Sequence, residues 1–158
     1  MLFNRASRRR HVRDAFAIVS RLGDGVLWYA IIVSLPVLYG VQALQVSGHM
    51  LAVGAISLLI YKQLKRYTNR ARPYRINDEI LHSVRALDEF SFPSGHTMHA
   101  VGFSIVLLGY YPQWWVFVLP FTLLVAASRL VLGLHYPSDV LAGAVIGAGV
   151  GLLSLQLI

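Results

Sequence analysis

Long apolar runs separated by short polar breaks dominate the chain, and their lengths are those of membrane-crossing helices. Positions 25–46 give about 22 mainly apolar residues, 48–64 about 17 and 95–111 a further 17 or so. Two more runs follow at 114–132 and 138–158. At 1.5 Å rise per residue, such runs reach across or nearly across a hydrocarbon layer roughly 30 Å thick. The pattern predicts an all-α, polytopic transmembrane helix bundle of about five spans. Turns at 46–48 and 110–114 fall on one side, and the 65–92 loop and the 133–137 connection on the other. Pro36 and Pro120 lie inside predicted spans, where a missing N–H kinks a helix. Gly143, Gly147 and Gly151 recur every fourth residue in the last run, a spacing that lets a neighbouring backbone come close.

Ahead of the first run, Val12, Ala15, Phe16, Val19 and Leu22 recur at helical spacing opposite Arg13, Asp14, Ser20 and Arg21. This predicts an amphipathic helix lying in the membrane interface. The organisation is therefore a basic segment over 1–24 followed by a single transmembrane domain over 25–158. No A-x-A site follows the first run, so the segment reads as a retained anchor and not a cleaved leader.

Composition agrees with a bilayer as solvent: of 158 residues, 56% are hydrophobic and only 13% charged, with a mean hydropathy of +0.60. The absence of cysteine removes disulfides, thiolate metal sites and a cysteine nucleophile. A formal charge of +7 invites a nucleic-acid reading. The distribution argues against it, since the basic residues sit at the edges of apolar runs, at Arg5 to Arg21, Lys62 to Arg85 and Arg129. They share one side of the predicted bundle, so chemistry is sought there.

Three stretches on that side carry the reactive residue types. In KRYTNRARP, Lys65 and Arg72 flank the end of the second run, where two cations can hold an anion or simply mark topology. In PSGH, Ser94, Gly95 and His96 open the third run. A helix N-terminus there offers unpaired N–H groups to an anion, and Ser94 alone would equally read as an N-cap. In SRLVLGLHYPSD, Arg129 ends the fourth run, and an intramembrane arginine faces a polar cavity or snorkels to the interface. His135 and Asp139 are four apart, a spacing that can set the carboxylate beside the imidazole and leave the other ring nitrogen free to attack.

Read together as Lys65-x6-Arg72-Pro73, Pro93-Ser94-Gly95-His96 and Ser128-Arg129-x5-His135-x3-Asp139, the chain resembles the type 2 phosphatidic acid phosphatase family, which is related to vanadium haloperoxidases and bacterial acid phosphatases. The resemblance spans 65–139 directly. It implies His135 as the phosphorus nucleophile, Asp139 as its orienting carboxylate and His96 as the general acid for the leaving group. Lys65, Arg72 and Arg129 become a cationic clamp, completed by the Ser94 hydroxyl and the Gly95 amide. It implies no metal and no cofactor. The carboxylate pairs Asp78–Glu79 and Asp88–Glu89 read as structural or headgroup-facing.

A phosphate site at the mouth of an apolar bundle meets lipid headgroups. The expected activity is hydrolysis of a lipid phosphate or diphosphate: phosphatidic acid, phosphatidylglycerol phosphate, a polyprenyl diphosphate or a phosphorylated prenyl-linked sugar. A non-catalytic lipid-phosphate binder and a vanadate-dependent haloperoxidase-like enzyme are the alternatives. The loop 74–92, with Arg75, His82 and Arg85, is the expected place for headgroup selection. The expected location is a bacterial inner membrane. Charge bias puts the site on the cytoplasmic face, whereas the family's habit favours the opposite one. The sequence leaves oligomeric state open.

Overall fold

The computed structural model describes residues 3–77, 80 and 88–157. After a 3-10 turn at Phe3–Arg8 come α1 (Arg10–Arg21), a π-helical turn (Leu22–Val26), α2 (Leu27–Tyr39) and α3 (Ala43–Thr68). A four-residue helix α4 (Pro73–Ile76) precedes α5 (Gly95–Tyr110), α6 (Trp115–Val131) and α7 (Pro137–Leu155). Among the described residues the only bridge between extended segments joins Ala71 and Phe90 in the loop region.

The expected all-α bundle is what forms, with its inner surface apolar and its outer surface apolar too. Trp28, Leu35, Met50, Val53, Phe103, Val106 and Val125 form the buried centre, drawn from α2, α3, α5 and α6. The Trp28 ring sits 5.4 Å from Phe103 and 5.8 Å from Phe121, tying α2 to α5 and α6. Val37 (83% exposed), Phe117 (73%) and Val33 (71%) face outward, which in water would be costly and in lipid is the ordinary arrangement. Among the described residues four helical runs are long and apolar enough to cross a membrane: Arg10–Tyr39, Ala43–Thr68, Pro112–Val131 and Pro137–Leu155. The remaining expected span, 95–111, is α5, whose 16 residues make it the shorter helix at the centre.

The turn expected at 46–48 is elsewhere. Gly40, with φ of 84°, ends α2, the reversal occupies 40–42, and Ser47 and Gly48 lie inside α3. The reason lies in Pro36. Lacking an N–H, it leaves the carbonyl of Ile32 without its helical donor, and the Ser47 hydroxyl donates to that carbonyl at 2.7 Å. Ser47 is thus a helix-to-helix link that mimics a turn signal. The glycine repeat does what its spacing predicts: a Cβ at Gly143 would lie 2.5 Å from the Ser94 carbonyl oxygen, and one at Gly147 2.3 Å from that of Met98. Only glycine permits α7 to lie so close along α5.

The amphipathic helix is α1. Phe16 and Val19 turn inward while Ile18 remains 60% exposed. It is separated from α2 by Gly25, whose φ of 126° redirects the chain. Asn4 and Ser7 donate to the carbonyl of Val131, and Ser20 accepts from Arg129, so contacts from before α1 and from its end converge on the last turn of α6.

Candidate active site

Local backbone geometry brings the three sequence stretches to one end of the bundle. Lys65 occupies the last turn of α3, which stops at Asn69 in the left-handed region (φ 46°), and the reversed chain carries Arg72 back over the helix end. Gly133 (φ 69°) reverses the chain after α6, and the N–H groups of Leu134 and His135 both donate to the Arg129 carbonyl. The hairpin that ends α6 therefore fixes Arg129 and His135 relative to each other. Ser94 precedes α5, and its N–H donates to the Asp139 carbonyl at 3.0 Å, locking the start of α5 to the start of α7.

These ends enclose a cavity of about 340 Å³. Its lining is part charged or titratable, with Asp24, Lys65, Arg72, Asp88, His96, Arg129 and His135, and part apolar, with Trp28, Leu51, Gly54, Leu58 and Phe103. Of the residues the sequence singles out, Lys65, Arg72, Gly95, His96, Arg129 and His135 line this space. Ser94 and Asp139 do not. The Ser94 hydroxyl is turned to Thr97, 3.0 Å away, and is completely buried.

His135 is 1% exposed. Its Nδ1 lies 2.7 Å from the Ser91 carbonyl oxygen, an acceptor only, so this nitrogen carries the proton and Nε2 keeps the lone pair. Nε2 is 3.3 Å from an Arg72 Nη. The expected direct pairing with Asp139 gives way to a longer contact, 3.7 Å between Nδ1 and the carboxylate. Asp139 is already engaged: one oxygen accepts from Arg70 at 2.7 Å, the other from the Tyr136 N–H at 2.8 Å. The carboxylate thus caps α7 and holds Arg70, which also lies over the Tyr136 ring. Burial, then the positive charges of Arg129, Arg72 and Lys65 and the nearby His96, push the proton affinity of His135 well below the ordinary histidine range. It rests neutral.

The cations are held by protein groups. Lys65 Nζ donates to Asp88 at 2.6 Å and to the Phe90 carbonyl at 2.9 Å. Arg72 donates to the Asp88 carboxylate at 2.8 Å and to the Leu134 carbonyl at 2.9 Å. Asp88, read from the sequence as structural or headgroup-facing, bridges two clamp residues. Burial would raise its proton affinity, but the hydrogen bonds and charges of Lys65 and Arg72 outweigh it and hold the carboxyl below its usual range. Its neighbour Glu89 is exposed and lies 3.9 Å from Arg75, as a surface pair would. Asp78, Glu79, His82 and Arg85 lie outside the described residues. Arg129 is 2% exposed, donates to Ser20, and its Nε has no acceptor. No three His, Asp or Glu side chains cluster as metal ligands among the described residues. A wall of three cations around the cavity would repel a divalent ion.

Sequence reasoning did not find Asp24, which pairs with His96. It sits in LGDGV, with no partner at a fixed spacing, and only flanking glycines hint that the chain does something unusual there.

The chain is an apolar helical bundle of membrane-crossing dimensions that gathers three buried cations and three histidines, His96, His99 and His135, around one cavity, a class of membrane protein whose site suits an anionic group. The family model described as the PAP2 superfamily matches residues 47–158, and the chain belongs to that family. It is 29% identical over 113 residues to an undecaprenyl-diphosphatase of Sulfolobus acidocaldarius, covering 70% of this chain and 54% of that one. A lipid A 1-phosphatase of Rhizobium johnstonii is 32% identical over 120 residues, covering 72% of this chain and 49% of that one. The chain thus spans about half the length of the curated relatives it matches. Its fold matches that of Aquifex aeolicus LpxE with a TM-score of 0.84 at 24% identity, over 98% of this chain and 91% of that one. It also matches the first transmembrane PAP2 type phosphatidylglycerolphosphate phosphatase from Bacillus subtilis, with a TM-score of 0.80 at 24% identity, over 99% of this chain and 82% of that one.

Proposed function

We propose that the chain is an integral-membrane phosphatase that hydrolyses a lipid phosphate or diphosphate through a phosphohistidine. The observation that carries this reading is His135, neutral and buried, its Nδ1–H given to Ser91 and its Nε2 lone pair 3.3 Å from an Arg72 Nη, on a cavity that Lys65, Arg72 and Arg129 also line. The Nε2 lone pair attacks phosphorus, the bond to the lipid oxygen breaks, and His96 gives that oxygen a proton. Water, losing its proton to His96, then attacks the phosphohistidine and releases inorganic phosphate. Charge on the equatorial oxygens is met by the three cations; losing one such group costs about 10²- to 10³-fold in comparable oxyanion sites.

The apolar part of the lining, Trp28, Leu51, Leu58 and Phe103, favours a lipid as the carrier of the phosphate, and the relatives are named for action on a lipid diphosphate and a lipid phosphate. Enzymes of this family need no metal, so activity should persist in EDTA. Retention of positive charge in the cytoplasm during insertion favours a cytoplasm-facing site.

Phosphate release from a panel of phosphatidate, phosphatidylglycerol phosphate and polyprenyl diphosphate tests the reading. Wild-type protein should release phosphate from at least one, and His135→Ala should abolish release while inserting normally. Acid-labile, base-stable phosphate on the wild-type chain marks the intermediate. A His135→Ala protein turning over at near wild-type rate would sink the assignment.

A further inference from the structure

The family match begins at residue 47, yet two side chains from before it reach the cavity end of the bundle. Ser20, on the last turn of α1, accepts from Arg129, and Asp24 pairs with His96 Nε2. The backbone around Asp24 is specialised for that placement. Gly23 lies so close to α6 that a Cβ there would come 2.9 Å from the Val125 side chain, and Gly25 takes a φ of 126°. A π-helical turn bearing a left-handed residue is uncommon backbone, and the carboxylate it presents lines the cavity.

The electrostatic surroundings give this carboxylate a task. A general acid must carry its second proton when the substrate arrives. Around the same cavity stand the Arg129 guanidinium from α6, His99 from the same helix as His96, and His135, Lys65 and Arg72, so cationic and titratable groups face the ring. Asp88, the other carboxylate on the cavity wall, is committed to Lys65 and Arg72. Asp24 is the counter-charge within hydrogen-bond reach of His96.

We infer that Asp24 is a positioning residue for the general acid: it holds the imidazolium of His96 through Nε2–H and leaves Nδ1–H as the proton delivered to the leaving oxygen. The basic N-terminal segment thereby completes the active site as well as anchoring the chain. This inference rests on the phosphatase reading above. When His96 gives up its proton the leaving oxygen becomes a hydroxyl, and Asp24 stays a carboxylate throughout.

The test separates leaving groups. Dioctanoyl phosphatidic acid expels an alkoxide that needs the proton, whereas p-nitrophenyl phosphate expels a phenolate that hardly does. Asp24→Asn should lower kcat on the phosphatidate by about 10²-fold with KM little changed, and lower it far less on the aryl ester. Asp24→Glu should recover much of the loss, and Asp24→Asn combined with His96→Ala should be no slower than His96→Ala alone. Equal losses on both substrates, or additive losses in the double variant, would show a merely structural carboxylate and overturn the inference. Should Asp24→Asn fail to insert, the Asp24→Glu protein decides: a kcat loss smaller than that of His96→Ala and larger on the phosphatidate than on the aryl ester upholds the inference, and losses as large as those of His96→Ala or indifferent to leaving group overturn it. Wild-type protein inactive on these esters and on the whole lipid panel would defeat the phosphatase reading and this inference with it; active wild type with an indifferent Asp24→Asn would defeat the inference alone.

Discussion

At the residue scale, the site's working parts are donors already in use, and this shapes how a phosphate can bind. Asp88 holds the Lys65 ammonium and one Arg72 Nη, the same donors that a phosphoryl oxygen would need. A phosphate must displace the carboxylate or share its partners. Asp88→Asn should therefore tighten inhibition by inorganic phosphate, and a phosphate inhibition constant that is unchanged or weaker would show that Asp88 chiefly orients the clamp. The pH dependence follows from the two shifted groups outside the spans. His135 has its proton affinity lowered, so the neutral, nucleophilic form persists below the ordinary histidine range near 6.5, and the acid limb of kcat/KM should fall below that value. The same shift makes the unfolded chain bind a proton that the folded one refuses, so stability due to His135 is full above about pH 6.5 and declines as pH falls. Asp88, also lowered, adds stability that is full above the ordinary carboxylate range and lost below it. An acid limb centred at 6.5 or higher would contradict the burial of His135. Much of this site was legible as motifs, because Lys65, Arg72, His96, Arg129 and His135 come at characteristic spacings. Ser91 was not, since it acts through a main-chain oxygen that any residue would supply, and neither was the bridging role of Asp88, which depends on a loop folding back over α3.

At the scale of elements, the proposed catalytic geometry depends on how closely α7 lies along α5, because α5 begins with Gly95 and His96 while α7 begins just after His135. The glycines set that distance, and they differ in a way that can be measured. A Cβ at Gly147 meets main-chain oxygen of Met98 at 2.3 Å, whereas Gly149 on the same helix has nothing within 4 Å. Gly147→Ala should destabilise the fold by about 1–3 kcal/mol through forced backbone separation and should lower activity with it. Gly149→Ala should be neutral or stabilising by up to about 1 kcal/mol, since alanine is the better helix former. Thermal unfolding in detergent distinguishes the two, and equal effects would mean that helix propensity and not close approach governs this face. The four-residue spacing was readable in advance because it is a local regularity. The 40–42 turn was not: its signal, Gly40, competes with Ser47-Gly48, and what assigns Ser47 to α3 is a bond to Ile32, fifteen residues away, made necessary by Pro36. Non-local satisfaction of a carbonyl in an apolar medium leaves no trace in periodicity.

At the scale of the whole molecule, one end of the bundle is charged and the other is not. The cavity collects the start of α2, the end of α3, the start of α5, the end of α6 and His135 just ahead of α7, so these helices alternate in direction and the ends that meet there share a side. The opposite end carries the 40–42 turn and the 111–114 segment, where the Tyr39 ring stacks on Tyr111 at 4.2 Å and the Trp114 N–H donates to the Tyr39 hydroxyl, an aromatic girdle without Lys, Arg, Asp or Glu. A sixth crossing by residues 5–22 would let the site face outward while the N-terminus stayed inside. It would carry six arginines, each costing roughly 2.5 to 3.5 kcal/mol at the bilayer centre. It would also have to part Asn4 and Ser7 from the Val131 carbonyl at the site end of α6. Lys65, Arg72 and Arg129 are accounted for by the site and say nothing about insertion, but Arg8, Arg9 and Arg10 are exposed at that same end and are the charges on which the positive-inside tendency acts. The proposed orientation therefore places the site inside and the aromatic girdle outside. Because the chain has no cysteine, single substitutions report cleanly: Gln42→Cys, exposed in the far turn, should react with a membrane-impermeant maleimide in intact cells, and Asn77→Cys, exposed near the site, only after the membrane is opened. Labelling of Asn77→Cys in intact cells with Gln42→Cys protected would reverse the orientation and leave the positive-charge rule overridden in this chain.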